Sequence, residues 1–127
     1  MIVEQKRMLR PMLSIYGYRY RIYIGKDVIR ALQCPEHICL KINESINSIA
    51  VMPSDSSEIM SFRVPEKYFH SRSSLMQISS KQFVCMLLEK NKLAVTGTYM
   101  INGTYSEMEN ACVFRLNDIV EDRALKT

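Results

Sequence analysis

Between Arg21 and Leu32 the chain fits a strand, a tight junction at Gly25 and a short helix into a dozen positions. A two-stranded pattern follows at once and ends at Pro53. A β-turn-α-β-β unit this small has too little interior to cover its own apolar face. A second unit must complete it, and a weaker copy lies further along the same chain.

The pattern becomes β-like from Met12. Ser14, Ile15 and Tyr16 are followed by a break at Gly17, and the alternation resumes from Tyr18. Tyr18, Tyr20, Ile22 and Ile24 fall on one face of the expected strand, with Arg19, Arg21 and Tyr23 on the other. Gly25 ends it. Lys26 to Leu32 reads as a helix with Val28, Ala31 and Leu32 at i, i+3, i+4 spacing, Ile29 beside them, and Asp27 in the first turn where it favours the dipole. Pro35 stops it. Ile38, Leu40 and Ile42 then alternate with outward Cys39 and Lys41. Asn43 to Ser48 turns the chain, and Ile49 to Met52 completes a hairpin.

Residues 54–58 form a polar connector, and Ile59 to Val64 has the composition of a further strand closed by Pro65. From Leu75 the first pattern returns. Met76 to Ile78 is a short strand, Ser79 or Ser80 a helix N-cap, and Lys81 to Leu88 a helix with Phe83, Val84, Leu87 and Leu88 as its apolar set. Thr96 to Tyr105 is β-rich, Ser106 to Asn110 an acidic turn, and Ala111 to Leu116 a last strand. Ile24 aligns with Ile78, Lys26 with Lys81, Val28 with Phe83, Ile29 with Val84 and Leu32 with Leu87. Few residues are identical; the order of elements carries the reading as a duplication. The expected organisation is a first unit at 12–53, a connector at 54–74 and a second, degenerate unit at 75–116, together one domain.

Charge is uneven along the chain. Residues 1–53 hold eight Lys or Arg against four acids, whereas residues 54–127 hold nine of each. The longest apolar run, Phe83 to Leu88, is far short of the ~20 residues that span a membrane. The mixed, charged N-terminal residues lack a signal-peptide core, so a cytoplasmic protein without membrane association is expected. Cys34, Cys39, Cys85 and Cys112 have neither disulfide-like nor C-x-x-C spacing. Cys34, His37 and Cys39 have no second ligand cluster nearby, so no metal or other cofactor is expected. No phosphate-cradling loop, dinucleotide fingerprint or zinc-protease motif occurs, and His37 and His70 are the sole histidines. Ser79-Ser80-Lys81 reads as a cap and first-turn lysine rather than a catalytic pair. No enzymatic role is expected.

The run from Arg21 to Leu32, with Ile38 to Ile42 and Ile49 to Val51, resembles the swapped-hairpin domain of the AbrB/SpoVT/MazE-like family of bacterial DNA-binding regulators and antitoxins. The resemblance implies a mainly β chain with short helices (α+β content), in which two units exchange hairpins to close one β-barrel. In that family two chains supply the pair. Here the tandem copies would form an intramolecular pseudo-dimer, as in MraZ-like members, either as a monomer with pseudo-twofold symmetry or as a homodimer. Family members present arginines to DNA near the strand-to-helix junction, and Arg21 and Arg30 match two such positions. The family's proline at the helix start is Gly25 here, its helix-ending glycine is Gln33, and a second helix arginine is Ile29. In the second copy Leu75 and Cys85 stand where the arginines would be.

The expected function is therefore a transcriptional regulator binding duplex DNA through a basic face of the first repeat. Arg19, Arg21, Lys26 and Arg30 would form that face, with Lys6, Arg7 and Arg10 as an arm. Phosphate contacts supply affinity, and arginines can read guanine edges. The alternative is a protein-interaction module, antitoxin-like or an assembly partner, that does not bind DNA. Nine methionines and the tyrosines at 16, 18, 20 and 23 permit it.

Overall fold

The computed structural model describes residues 9–58, 60–65 and 76–121. Lys6, Arg7, the polar run at 71–74 and the C-terminal residues from 122 lie outside the described residues. Among the described residues the chain is mainly β, with two antiparallel five-stranded sheets and two short helices. Its strands are β1 (Met12–Tyr16), β2 (Arg21–Ile24), β3 (His37–Asn43), β4 (Ser48–Pro53), β5 (Ser61–Arg63), β6 (Met76–Ser79), β7 (Thr98–Asn102), β8 (Thr104–Ser106), β9 (Ala111–Arg115) and β10 (Val120–Glu121). Helix α1 is Lys26–Ala31 and α2 is Lys81–Lys90. The sheets run β10-β7-β1-β2-β6 and β5-β3-β4-β9-β8, so each draws strands from both halves of the chain.

Period-2 alternation buries one side of each central strand. Leu13 and Ile15, Ile22 and Ile24, Met76 and Ile78, and Tyr99 and Ile101 line the interior of the first sheet. Ile38, Leu40, Ile49, Val51 and Phe114 come from the second, and one buried cluster includes them all. Helix α2 adds Phe83, Val84, Leu87 and Leu88, the set its spacing predicts. Each such side chain contributes about 1.5–3 kcal/mol when fully buried. The Ser80 Oγ caps α2 by accepting from the Phe83 N–H at 3.2 Å, which gives the Ser-Lys pair its structural role.

The ladders repeat themselves. In β2–β6, Ile22 faces Ile78 and Ile24 faces Met76. The interval from Ile24 to Ile78 also takes Ile22 to Met76, so this pairing is symmetrical about Tyr23 and Gln77. In β3–β4, Asn43 faces Ser48, Ile42 faces Ile49 and Lys41 faces Ala50. The interval from Asn43 to Ser106 carries all three onto the β8–β9 pairs Ser106–Ala111, Tyr105–Cys112 and Thr104–Val113. Asn47 and Asn110 close the two hairpins in the left-handed region, with φ of 47° and 51°. Their N–H groups donate to the Glu44 and Glu107 carbonyls, each at 3.3 Å.

β7 and β8 form one extended run that passes from the first sheet to the second at Gly103. A Cβ there would lie 2.5 Å from the Phe114 ring and 2.6 Å from the Val113 carbonyl oxygen, so only glycine lets the strands approach this closely.

Several local expectations are corrected. The strand expected from Tyr18 starts only at Arg21; Gly17–Arg19 form a 3₁₀ turn and Tyr20 is left-handed, with φ 54°. The hydrogen-bonding groups of this stretch are used elsewhere. The Gly17 N–H donates to the Gly97 carbonyl at 2.9 Å, and the Tyr20 carbonyl accepts from the Ser80 N–H at 2.9 Å. Arg19 and Arg21 are therefore not neighbours on one strand face. Cys39, expected outward, is fully buried, because β5 pairs alongside it and the Ser54 hydroxyl reaches its thiol. Residues 54–58 fold back on β3: the Ser54 N–H donates to the His37 carbonyl at 3.0 Å, and the Asp55 carboxylate accepts from the Ser57 N–H at 2.9 Å. Helix α2 runs two residues past Leu88, and β10 adds a strand to β7 that alternation did not signal.

Helix α1 ends before Pro35. Gln33 and Cys34 both take left-handed conformations, with φ of 64° and 53°. Gln33 thus adopts at a cost the geometry that glycine takes freely. Gln33→Gly is expected to stabilise the chain by about 0.5–1 kcal/mol, read as a raised denaturation midpoint; a lowered midpoint would contradict it. Gly25 has φ −68°, within proline's range, but its N–H donates to the Met12 carbonyl at 3.0 Å. A proline there would forfeit that bond.

Candidate nucleic-acid interface

The outward side of β2 and β6 is polar because the inward side is spent on the core. Arg21 and Tyr23 alternate with buried Ile22 and Ile24; Gln77 and Ser79 alternate with Met76 and Ile78. Arg21 stands between Tyr16 on β1 and Ser79 on β6. Each strand feeds directly into a helix, β2 through Gly25 into α1 and β6 through Ser80 into α2. Antiparallel pairing sends those helices to opposite ends. Lys26 therefore starts one helix beyond Ile24, and Lys81 starts the other beyond Ser79, next to Arg21. The two ends of β2 lie about 10 Å apart at the usual rise per residue.

The expected basic face is thereby divided. At the Arg21 end, the Arg19 guanidinium carbon lies 5.3 Å from the centre of the exposed Tyr18 ring. Lys81 Nζ lies 5.4 Å from the Tyr20 ring centre. Tyr16 packs edge-on against Tyr23 at 4.9 Å and tilts toward Tyr18 at 6.1 Å. Among the described residues, Arg19, Arg21 and Lys81 form no ion pair with an acid. At the Ile24 end the situation differs. Asp27 accepts from Arg30 Nη1 at 3.2 Å and from the Arg10 backbone N–H at 2.9 Å. Arg30 remains exposed, but its charge is countered, and half-buried Lys26 accompanies it.

Of the expected residues, Arg19 and Arg21 lie at one end of β2, and Lys26 and Arg30 lie at the other, where Asp27 accepts from the Arg30 side chain and the Arg10 backbone N–H. Lys6 and Arg7 fall outside the described residues. Sequence reasoning missed Lys81 as a partner of the arginines. Its alignment with Lys26 was the available signal, and antiparallel pairing of the copies would have put it beside Arg21.

Other chemistry is sparse. Among the described residues no group of three His, Cys, Asp or Glu side chains is placed to hold a metal ion. Burial pushes the Cys112 thiol up to about 12 and raises that of Cys39, so both stay protonated at neutral pH. No described helix is long and apolar enough to cross a membrane. A cleft of about 440 Å³ opens beside Arg30, between Pro11, Gln33 and Tyr105. No protein-family model, curated protein or solved structure matches this chain.

Proposed function

We propose that this chain is a DNA-binding regulator of the AbrB-like type, built as two tandem β-α-β-β units that exchange hairpins to form one barrel. The repeated registers support the architecture. β2–β6 is symmetrical about Tyr23–Gln77, and β4–β9 about Ala50–Val113, where Ile49–Phe114 and Val51–Cys112 exchange. β5 stands to β3 as β1 stands to β7: Phe62 faces Ile38 where Leu13 faces Ile101. On this reading the second unit begins with β5, within the connector, and its hairpin interleaves with that of the first. Such an interleaved pair also answers the burial problem that one unit leaves open.

The observation that carries the function is the grouping of Arg19, Arg21 and Lys81 on one end of the outer β2–β6 face, where they form no ion pair among the described residues. Lys26 and Arg30 stand beyond the opposite end of β2, a strand about 10 Å long. Basic groups beyond both ends of one strand can meet the phosphates of a duplex laid along it. Electrophoretic mobility of random duplex DNA across a salt series tests the reading. A shift at low salt that weakens linearly in log–log form with rising salt is expected. Absence of a shift at low salt overturns it. A protein-binding surface built on apolar contacts would lack that salt dependence.

A further inference from the structure

The Arg21 end of the face is more than a row of cations. Tyr18, Arg19, Tyr20 and Arg21 are consecutive, and Lys81 joins them across the β2–β6 pair. The 3₁₀ turn and left-handed Tyr20 break the strand here. As a result Tyr18 is not carried into the sheet interior, where strand alternation would have put it, and the residue stays 41% exposed. An exposed tyrosine backed by a guanidinium is a flat, polarised surface. A closed duplex offers it little, since stacked base pairs cover each other's faces and present only edges and backbone. An unpaired base offers a whole face, and stacking on tyrosine is tolerant of base identity. The neighbouring cations would then follow the phosphates of the same strand, and arginine planes also stack on bases.

We propose that the Tyr18–Arg21 turn, with Lys81, is a stacking platform for an unpaired base, so that this face binds single-stranded DNA more tightly than duplex of equal length. This rests on the nucleic-acid reading of the same face and names the form of nucleic acid it prefers. Tyr18 supplies the stacking surface; Arg19, Arg21 and Lys81 supply the phosphate contacts. Tyr20 is half-buried and engaged with Lys81, and it positions that lysine.

The chain has seven tyrosines and no tryptophan, so the share of tyrosine quenching lost in Tyr18→Ala reports stacking on that ring. The test titrates oligothymidylate and a blunt duplex of the same length into the wild type, Tyr18→Ala and Tyr18→Phe, following both anisotropy of labelled DNA and tyrosine quenching. Oligothymidylate is expected to bind more tightly and to quench. Tyr18→Ala should weaken it about tenfold while changing duplex affinity less than about twofold. Tyr18→Phe keeps the ring face and should remain near wild type. Duplex binding that equals or exceeds oligothymidylate binding, or a Tyr18→Ala variant unchanged toward the oligonucleotide, overturns the platform and leaves the nucleic-acid reading standing. Binding of neither probe by the wild type removes both.

Discussion

Gly17→Ala is expected to cost about 3 kcal/mol of folding stability, near the top of the range for overpacking. The reason is what the new methyl would meet. A Cβ at position 17 would lie 2.1 Å from the Val95 carbonyl oxygen, 2.8 Å from its carbon and 3.0 Å from the Gly97 carbonyl oxygen. All three are backbone atoms, so no side-chain rotation relieves the clash. The contact cannot simply open either, because the Gly17 N–H is bonded to that same Gly97 carbonyl. Either the 95–97 loop or the Gly17–Tyr20 turn must move. For a domain of this size the loss corresponds to a fall of about 10 °C in melting temperature, followed by far-ultraviolet circular dichroism. A variant within about 0.5 kcal/mol of the parent, the usual spread for surface changes, would contradict this prediction. The same substitution displaces Tyr18 and Arg19, so a folded remnant should also bind nucleic acid less well than its stability alone accounts for.

Much of this architecture is legible in the sequence. Period-2 runs at 12–16, 38–42 and 49–52 become strands, and the i, i+3, i+4 sets become helices, because burial of one face decides both. The hairpin repeat was also there to be read. Glu44 and Asn47 recur as Glu107 and Asn110, and the asparagines take the left-handed conformation that this residue tolerates. What the sequence did not disclose depends on contacts between distant segments. Tyr18 to Tyr20 alternates like a strand, yet the carbonyl of Gly97 and the amide of Ser80 claim its backbone. Cys39 sits at an outward position, yet β5 and the 54–58 turn cover it. The division of the basic residues is of the same kind. Whether Arg30 is available depends on Asp27, three residues away in the same helix. Which cation joins Arg21 depends on an antiparallel pairing between residues more than fifty positions apart.

That division sets the second large expected effect. Simultaneous Arg19→Ala, Arg21→Ala and Lys81→Ala should weaken duplex binding at low salt about a hundredfold, or about 2.7 kcal/mol. It should also reduce the magnitude of the log–log salt slope by about 2.7 if all three neutralise phosphates. Lys26→Ala with Arg30→Ala should do far less, about fivefold or under. Arg30 already pairs with the Asp27 carboxylate at 3.2 Å, so less of its charge is free to meet a phosphate. Asp27→Asn tests the point from the other side: freeing Arg30 should raise affinity and steepen the salt slope. Lys81→Ala alone carries most weight for the architecture, since this lysine belongs to the second half of the chain and meets the arginines only through the β2–β6 pairing. If Lys81→Ala leaves binding and salt slope unchanged while Arg19→Ala and Arg21→Ala abolish binding, the face belongs to the first unit alone. Equal losses from the two ends would instead mean that Asp27 does not restrain Arg30 when DNA is bound.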